Sequence, residues 1–493
     1  MNTVTLAQLL KIEDTEALLD FRCPTSGYLL WPLARIQFLR FIMSDLFYER
    51  PLIDTGPRTT PRHALATLGR AVAHNAVRSR RMHGDVMLMG TGLGLYMRNG
   101  QWYNRLADPF VDAMAGNTVA VEDFLDWRWP MPRHQPQVLF HAPMQACAAI
   151  YGRFVTSSAH TELATRLVNL VRQRAHQLIG WDLDDARAAF LIHSIARHTA
   201  AIPLRRSAYR RMFRRAGTRL LLKEEGCYGP SSIAIQVARE LGILTAEYQH
   251  GSVSAGNEAY NLAPTLASSQ EYVRTLPDYF LGYGQWWNDQ ISVPIGKVVI
   301  GNPHRAVQTA ALTAPALDAG NAVLILGDGI ETDRYLGFAS DLAVELKHRG
   351  RTELQVKFRP HPLERSQVEQ RFATNPVLGV KLDIEADIYR SLNGTHAVMS
   401  EVSTGLFEAI GLAQHVFLWD TPKARFCYPS YPFSAVTSPA ELAAALASDP
   451  ARGSHIEAPE IWATDWYGRY MNFVRSVGVS VERSSTMPQG ATL

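Results

Sequence analysis

At 493 residues the chain is too long for one compact core, and 47% hydrophobic with 19% charged residues is ordinary for a globular protein of two or three domains. A formal net charge of +3 gives no global reason to expect nucleic acid. Cys23, Cys147, Cys227 and Cys427 stand far apart without CxxC spacing, which points to reduced thiols rather than a zinc site. The first residues, Met1 to Thr5, lack a basic-then-apolar signal pattern, so the expectation is a cytoplasmic protein.

Residues 1–80 read as helical. The most apolar early stretch, 28–48, is interrupted by Pro32, Arg35, Arg40 and Asp45. That suits an amphipathic core helix entered at Pro32, not a membrane span, which needs about twenty mostly apolar residues. Residues 58–81 are basic and poorly patterned. Residues 85–90 predict the first buried strand, 138–140 another, and 160–215 a long helical region. Asp182-Leu183-Asp184-Asp185 resembles a metal-binding DxD triplet, but it opens a helix, where acids complement the dipole. Then comes a clear unit: strand 219–223, turn Glu224-Glu225-Gly226, helix 231–241 and strand 244–248, ending in Gln249-His250-Gly251. Further strand-like runs start at Tyr279, Val298, Ala322, Leu354, Ala397 and His415.

Strands alternating with helices in both halves predict two doubly wound α/β domains of Rossmann type that face each other across a cleft. The expected division is 1–306 for an acceptor-side domain with a helical N-terminal extension and 307–320 for a linker. A nucleotide-donor domain follows at 321–440, then helices at 441–483 that pack back toward the first domain, and a disordered tail at 484–493.

In such sheets ligands bind at the carboxyl ends of the strands. Strand 354–358 runs into Arg359-Pro360-His361-Pro362, and strand 397–399 into Ser400-Glu401-Val402-Ser403-Thr404-Gly405. His361, with an ordinary pKa near 6.5, can contact phosphate and act as an acid; the plain alternative is a polar loop His between prolines. Ser403, Thr404 and Gly405 at a helix start offer hydroxyl and N–H donors to phosphate, or simply cap the helix. Glu224 could deprotonate an acceptor hydroxyl, with Glu225 beside it, or the pair could form a solvated acidic turn. Gln249, His250, Asp328 and Glu401 are further candidates to line the cleft. Asp328, with Glu331 in the same turn, also suits a helix cap or a sugar contact. Arg205, Arg206, Arg210, Arg211, Arg214 and Arg215, interleaved with apolar residues, could lie on an anionic membrane face or form a solvated helix face.

Glu224-Glu225-Gly226, His361-Pro362 and Ser403-Thr404, in that order and in those halves, resemble the motifs of bacterial GT-B glycosyltransferases of the capsule type, the sialyltransferases and polysialyltransferases in particular. The resemblance is carried mostly by residues 220–420. It implies a GT-B-like fold, Glu224 as general base, His361 assisting departure of the nucleotide, and Ser403 with Thr404 on the donor phosphate beside Arg359, Pro362 and Gly405. It further implies an inverting, metal-independent transferase with no cofactor. The donor would be a nucleotide sugar, favoured as a CMP-activated acidic sugar such as sialic acid or Kdo, and the acceptor a glycan or glycolipid of a surface polysaccharide. The Arg359–Pro362 and Ser-rich turns also resemble CDP-glycerol-type transferases. A nucleotide-sugar epimerase shares the architecture, and a non-catalytic partner of a polysaccharide machine is the remaining reading.

Overall fold

The computed structural model describes residues 4–49, 52, 59–114, 116–315, 319–362, 364–448 and 457–480. Its strands are β1 (Val86–Gly90), β2 (Leu95–Arg98), β3 (Gln101–Asn104), β4 (Thr118–Glu122), β5 (Val138–Phe140), β6 (Leu220–Lys223), β7 (Leu244–Tyr248), β8 (Tyr279–Gly282) and β9 (Gly296–Val299) in the first half. The second half holds β10 (Ala322–Leu326), β11 (Gln355–Arg359), β12 (Val380–Leu382), β13 (Ala397–Ser400), β14 (His415–Trp419) and β15 (Ser434–Val436).

Seven strands form one parallel sheet in the order β5-β4-β1-β6-β7-β8-β9, and six form a second in the order β12-β11-β10-β13-β14-β15. Both are doubly wound, so each order reverses next to its first strand, between β1 and β6 and between β10 and β13. The fold is therefore the GT-B-like pair of Rossmann-type domains. β2 and β3 form a separate antiparallel hairpin inserted after β1.

Strand alternation sorts the cores. Met87 and Met89 of β1 join the large cluster under the N-terminal helices, while Val86 and Leu88 face a second cluster with Phe110. In β10, Val323 and Ile325 enter a core of their own domain, whereas Leu324 and Leu326 belong to the large cluster that reaches the first domain. The Trp31–Phe47 helix, with Pro32 at its start, buries Arg35 against Glu13. The Trp466–Ser476 helix returns to the first domain and inserts Tyr470, Phe473 and Val474 beside Phe110, each large side chain contributing about 2 kcal/mol by burial.

The domains touch directly. Phe407 packs on Trp286 and Trp287, with ring centroids 5.2 and 4.4 Å apart, and its carbonyl accepts from Trp462 Nε1 at 2.9 Å. Phe47 meets Phe426 at 4.6 Å. Gly256 lies so close to the second domain that a Cβ there would sit 1.9 Å from the Phe426 carbonyl oxygen.

Several expectations change. The linker expected at 307–320 starts inside a helix, Pro303–Ala310, which is capped by Asn302. The poorly patterned basic stretch contains a full helix, Pro61–Arg78. Residues 160–215 split into Ser158–Ile179 and Asp185–Ala216, because Gly180 takes a left-handed conformation and Asp184 caps the second helix through the Arg187 amide. The tail at 484–493 lies outside the described residues. No helix among the described residues is long and apolar enough to cross a membrane.

Candidate active site

On the first-domain wall, β1 ends in Gly90-Thr91-Gly92-Leu93-Gly94. A Cβ on Gly92, at φ +80°, would lie 2.4 Å from the Asp123 carbonyl oxygen, and one on Gly94 would lie 2.2 Å from Asn104 Oδ1. Glycine there lets the turn press against the end of β4 and the start of the Arg105 segment. Glu224, just past β6, is fully buried. Its Oε2 accepts from the Thr91 amide at 2.8 Å and the Tyr248 hydroxyl at 3.2 Å, and its Oε1 from the Thr91 hydroxyl at 2.7 Å. The two motif acids therefore do not both face the cleft. The β1 turn and Tyr248 cover Glu224, while Glu225 stands half-buried at φ +57° and acts on Arg40.

Gln249 is buried, receiving the Tyr283 amide and donating to the Gly251 carbonyl, so it joins the ends of β7 and β8 instead of lining a cleft. His250 Nδ1 is buried without a hydrogen-bond partner, 3.8 Å from Glu247 Oε1. Asp123, at the end of β4, is a half-exposed carboxylate 3.5 Å from His141 Nδ1, and the Tyr209 hydroxyl meets His141 Nε2 at 3.0 Å.

On the second-domain wall, the His361 ring lies against Gly329, where a Cβ would be 2.9 Å from Nδ1. The His361 amide donates to Glu364 Oε1 at 3.0 Å. Burial holds the ring below the usual His range; Glu364 and Asp328 oppose the shift and Arg105 adds to it. Pro362 beside it is exposed. Ser403 caps the short Thr404–Ala409 helix by accepting from the Gly405 amide at 3.1 Å. Thr404 is half-buried, and Gly405 leaves room for Leu326, whose Cδ1 a Cβ would approach to 2.6 Å.

Arg359, expected beside the donor phosphate, is engaged within its own domain. Its guanidinium is held by Asp383 Oδ2 at 2.7 Å, the Glu385 carbonyl at 2.9 Å and Ser391 Oγ at 2.9 Å. As the last residue of β11, it is satisfied by the segment after β12. Asp328 and Glu401, expected to line the cleft, are bonded to other side chains. With Glu331 they form a buried acidic cluster whose ligand atoms lie within 4.8 Å of one another. Lys423 Nζ bonds all three, at 3.1 Å to Asp328 and 2.6 Å to Glu401, and Arg334 donates to Glu401 at 3.0 Å. Lys423 and Arg334 supply the positive charge a metal would otherwise bring. Burial opposes the charge on Lys423, yet the three acids hold its pKa above the usual range. Asp328 Oδ1 also receives the Ile330 and Glu331 amides ahead of the Thr332–His348 helix.

The sequence reading missed Arg105. It follows the hairpin, is exposed, and makes no ion pair among the described residues. Its charge acts on Tyr96 and Tyr283 from the first domain, on His304, and on His361, Tyr389 and Glu408 from the second. His304 sits edge-on between Tyr96 and Tyr389, at 6.1 and 5.8 Å, and burial, then Arg105 and Arg98, push its pKa down to about 3. Glu408 is raised by burial, opposed by Arg305 and the Tyr389 hydroxyl. The Gly90-Thr91-Gly92-Leu93-Gly94 run after a strand was the available signal for this wall; a lone Arg after a hairpin carries none.

No protein-family model matches the chain, and no curated protein matches it. Among solved structures, UDP-bound MnaA of S. aureus is similar over 82% of this chain and 100% of that chain, at 10% identity and a TM-score of 0.45. A UDP-GlcNAc 2-epimerase from Methanocaldococcus jannaschii covers 80% and 99%, at 9% identity and 0.42. A UDP-forming trehalose-phosphate synthase from Burkholderia xenovorans covers 81% and 98%, at 11% identity and 0.38. Identities and scores this low leave function to be argued from the side chains.

Proposed function

We propose that the chain is a nucleotide-sugar enzyme of the glycosyltransferase type, with the donor's phosphate held between Arg105 of the first domain and His361, Ser403 and Thr404 of the second. The supporting observation is Arg105: an exposed guanidinium without a carboxylate partner, whose field falls on ionisable side chains of both domains. A cation left unpaired beside neutral His361 and His304 favours an anionic ligand there, and a leaving phosphate gains most from donors already oriented toward it. His361, held neutral by burial, would donate through N–H and take up a proton more readily once a phosphate lies beside it.

The finer reading, a CMP-activated acidic sugar transferred to a glycan, rests on the three short motifs. Its first leg changes role, since the Glu224 carboxylate is occupied by Thr91 and Tyr248. Asp123, half-exposed at the end of β4 with His141 behind it, is our candidate for accepting the acceptor's proton. The occupation of Glu224 also favours a second reading, rearrangement of the nucleotide sugar without an acceptor.

The test is a thermal-shift panel of CMP, CDP, UMP, UDP and GDP on wild type, Arg105→Ala and His361→Ala. One nucleotide should stabilise the wild type, with affinity at least about tenfold weaker in Arg105→Ala, the loss of a charged hydrogen bond. A CMP preference supports the acidic-sugar donor, CDP the polyol-phosphate donor, and UDP or GDP another sugar. Turnover of the matching nucleotide sugar without acceptor selects the rearrangement. No response to any nucleotide removes the proposal.

A further inference from the structure

Two neighbouring helices of the first domain, Pro61–Arg78 and Ala142–Val155, carry a surface that the proposed chemistry does not use. Each buries few of its residues fully, Thr67 and Ala71 in the first, Ala148 and Gly152 in the second, although Gly152 lets the second lie close against the Asp185–Ala216 helix. Large apolar side chains point outward from both, with Leu65 69% exposed, Val77 72% and Phe154 81%, joined by Val72 and Ile150. Single exposed apolar residues are ordinary, but a cluster on adjacent helices marks an interaction surface.

The two helices themselves carry charge of one sign, and the acids that border them, exposed Asp126 next to the Trp127 carbonyl that meets His63 and Thr67, and Asp123 at 3.5 Å from His141, sit at their N-terminal ends. The chain has 46 acidic residues, yet none lies between Thr55 and Gly84 or between Trp127 and Thr161. Arg62, Arg70, Arg78 and Arg153 are exposed and make no ion pair among the described residues. The arginine run of the Asp185–Ala216 helix, the sequence's own candidate for such a contact, is largely spent elsewhere. Arg205 is buried, and Arg206 and Arg210 bond Glu240 at 2.9 and 2.6 Å, leaving Arg211, Arg214 and Arg215 exposed.

We propose that the Pro61–Arg78 and Ala142–Val155 face docks the protein on an anionic lipid surface. Arginines beside outward Phe, Leu and Val, with no acid among them, are the composition that settles at a charged membrane interface. A lipid surface takes scattered apolar side chains without a matching groove. A second copy of this chain fits worse, because a two-fold contact would set these two acid-free helices against their own copies, arginine opposing arginine.

The experiment is flotation of the full chain with vesicles of phosphatidylcholine alone, and with phosphatidylcholine containing about one third phosphatidylglycerol. Binding should require the anionic lipid and weaken as salt rises. The pairs Val77→Ser with Phe154→Ser, and Arg62→Glu with Arg70→Glu, should each lower partitioning roughly tenfold or more while melting like wild type. Arg211→Ala with Arg214→Ala should bind as wild type. Three results would overturn the proposal: no binding to anionic vesicles at low salt, loss of binding only in the Arg211/Arg214 pair, or a wild-type dimer in sedimentation that Phe154→Ser dissolves.

Discussion

Both oxygens of Glu224 are bonded, to the amide and hydroxyl of Thr91 and to the hydroxyl of Tyr248. A buried carboxylate accepting three donors fixes the β1 turn, and with it the path of the chain toward Arg105. Glutamine is nearly isosteric but turns one acceptor into an N–H₂ group facing a donor. Glu224→Gln should therefore cost about 1.5–3 kcal/mol of stability, read as a lower urea midpoint at unchanged slope. Nucleotide binding should weaken with it, because the turn that carries this wall loosens. A Glu224 acting solely as a base would instead lose turnover while keeping both its midpoint and its nucleotide affinity, and that outcome would return it to the role implied by the motif resemblance.

The turns after β10, β13 and β14 are tied into one unit by Lys423, which bonds Asp328, Glu331 and Glu401 and stacks over Tyr48 of the first domain at 4.9 Å. Removing the ammonium leaves three buried acids with Arg334 as their remaining bonded cation. Lys423→Met should destabilise by about 3–5 kcal/mol, the usual consequence of breaking a buried ion pair, and chemical unfolding would measure it. Restoring much of that stability by adding Glu331→Gln would show the charge imbalance to be the cause.

Legibility in the sequence follows the same division between near and far partners. Strands such as β1, β10 and β14 are nearly continuous apolar runs and can be read locally. So can the Ser403 cap, whose bond goes to the Gly405 amide two residues on. The three-residue strands β12 and β15 and the hairpin β2–β3 are too short or too mixed in pattern. The partners of Arg359 and Glu224 cannot be read locally, because Asp383 lies 24 positions from Arg359, across the next strand, and Thr91 lies 133 positions from Glu224. A side chain's residue type states what it can bond, whereas only the strand order states which partner reaches it first.

Across the whole molecule, acid should loosen the fold through histidines buried in neutral form. Burial, then Arg205, pushes His198 down to about 4; burial, then Arg105 and Arg98, pushes His304 down to about 3. In the unfolded chain both titrate near 6.5. A folded value below the unfolded one means that stability is full above pH 6.5 and is lost as pH falls toward 4 and 3, since only the unfolded state takes up the proton in that window. Between pH 7 and 5 each histidine should remove about 2 kcal/mol. Glu122, Glu247 and Glu408 act in the opposite sense, because burial raises their values and the folded state takes up those protons first. The net curve alone is therefore not diagnostic, and the comparison must be between variants. His198→Gln with His304→Gln should flatten the loss of unfolding free energy between pH 7 and 5 by about 3–4 kcal/mol relative to wild type, measured by urea denaturation at each pH. An unchanged slope would mean that these histidines ionise freely in the folded protein. The His304 ring would then be open to water rather than buried between Tyr96 and Tyr389, and the packing around it, with the placing of Arg105 beside it, would have to be redrawn.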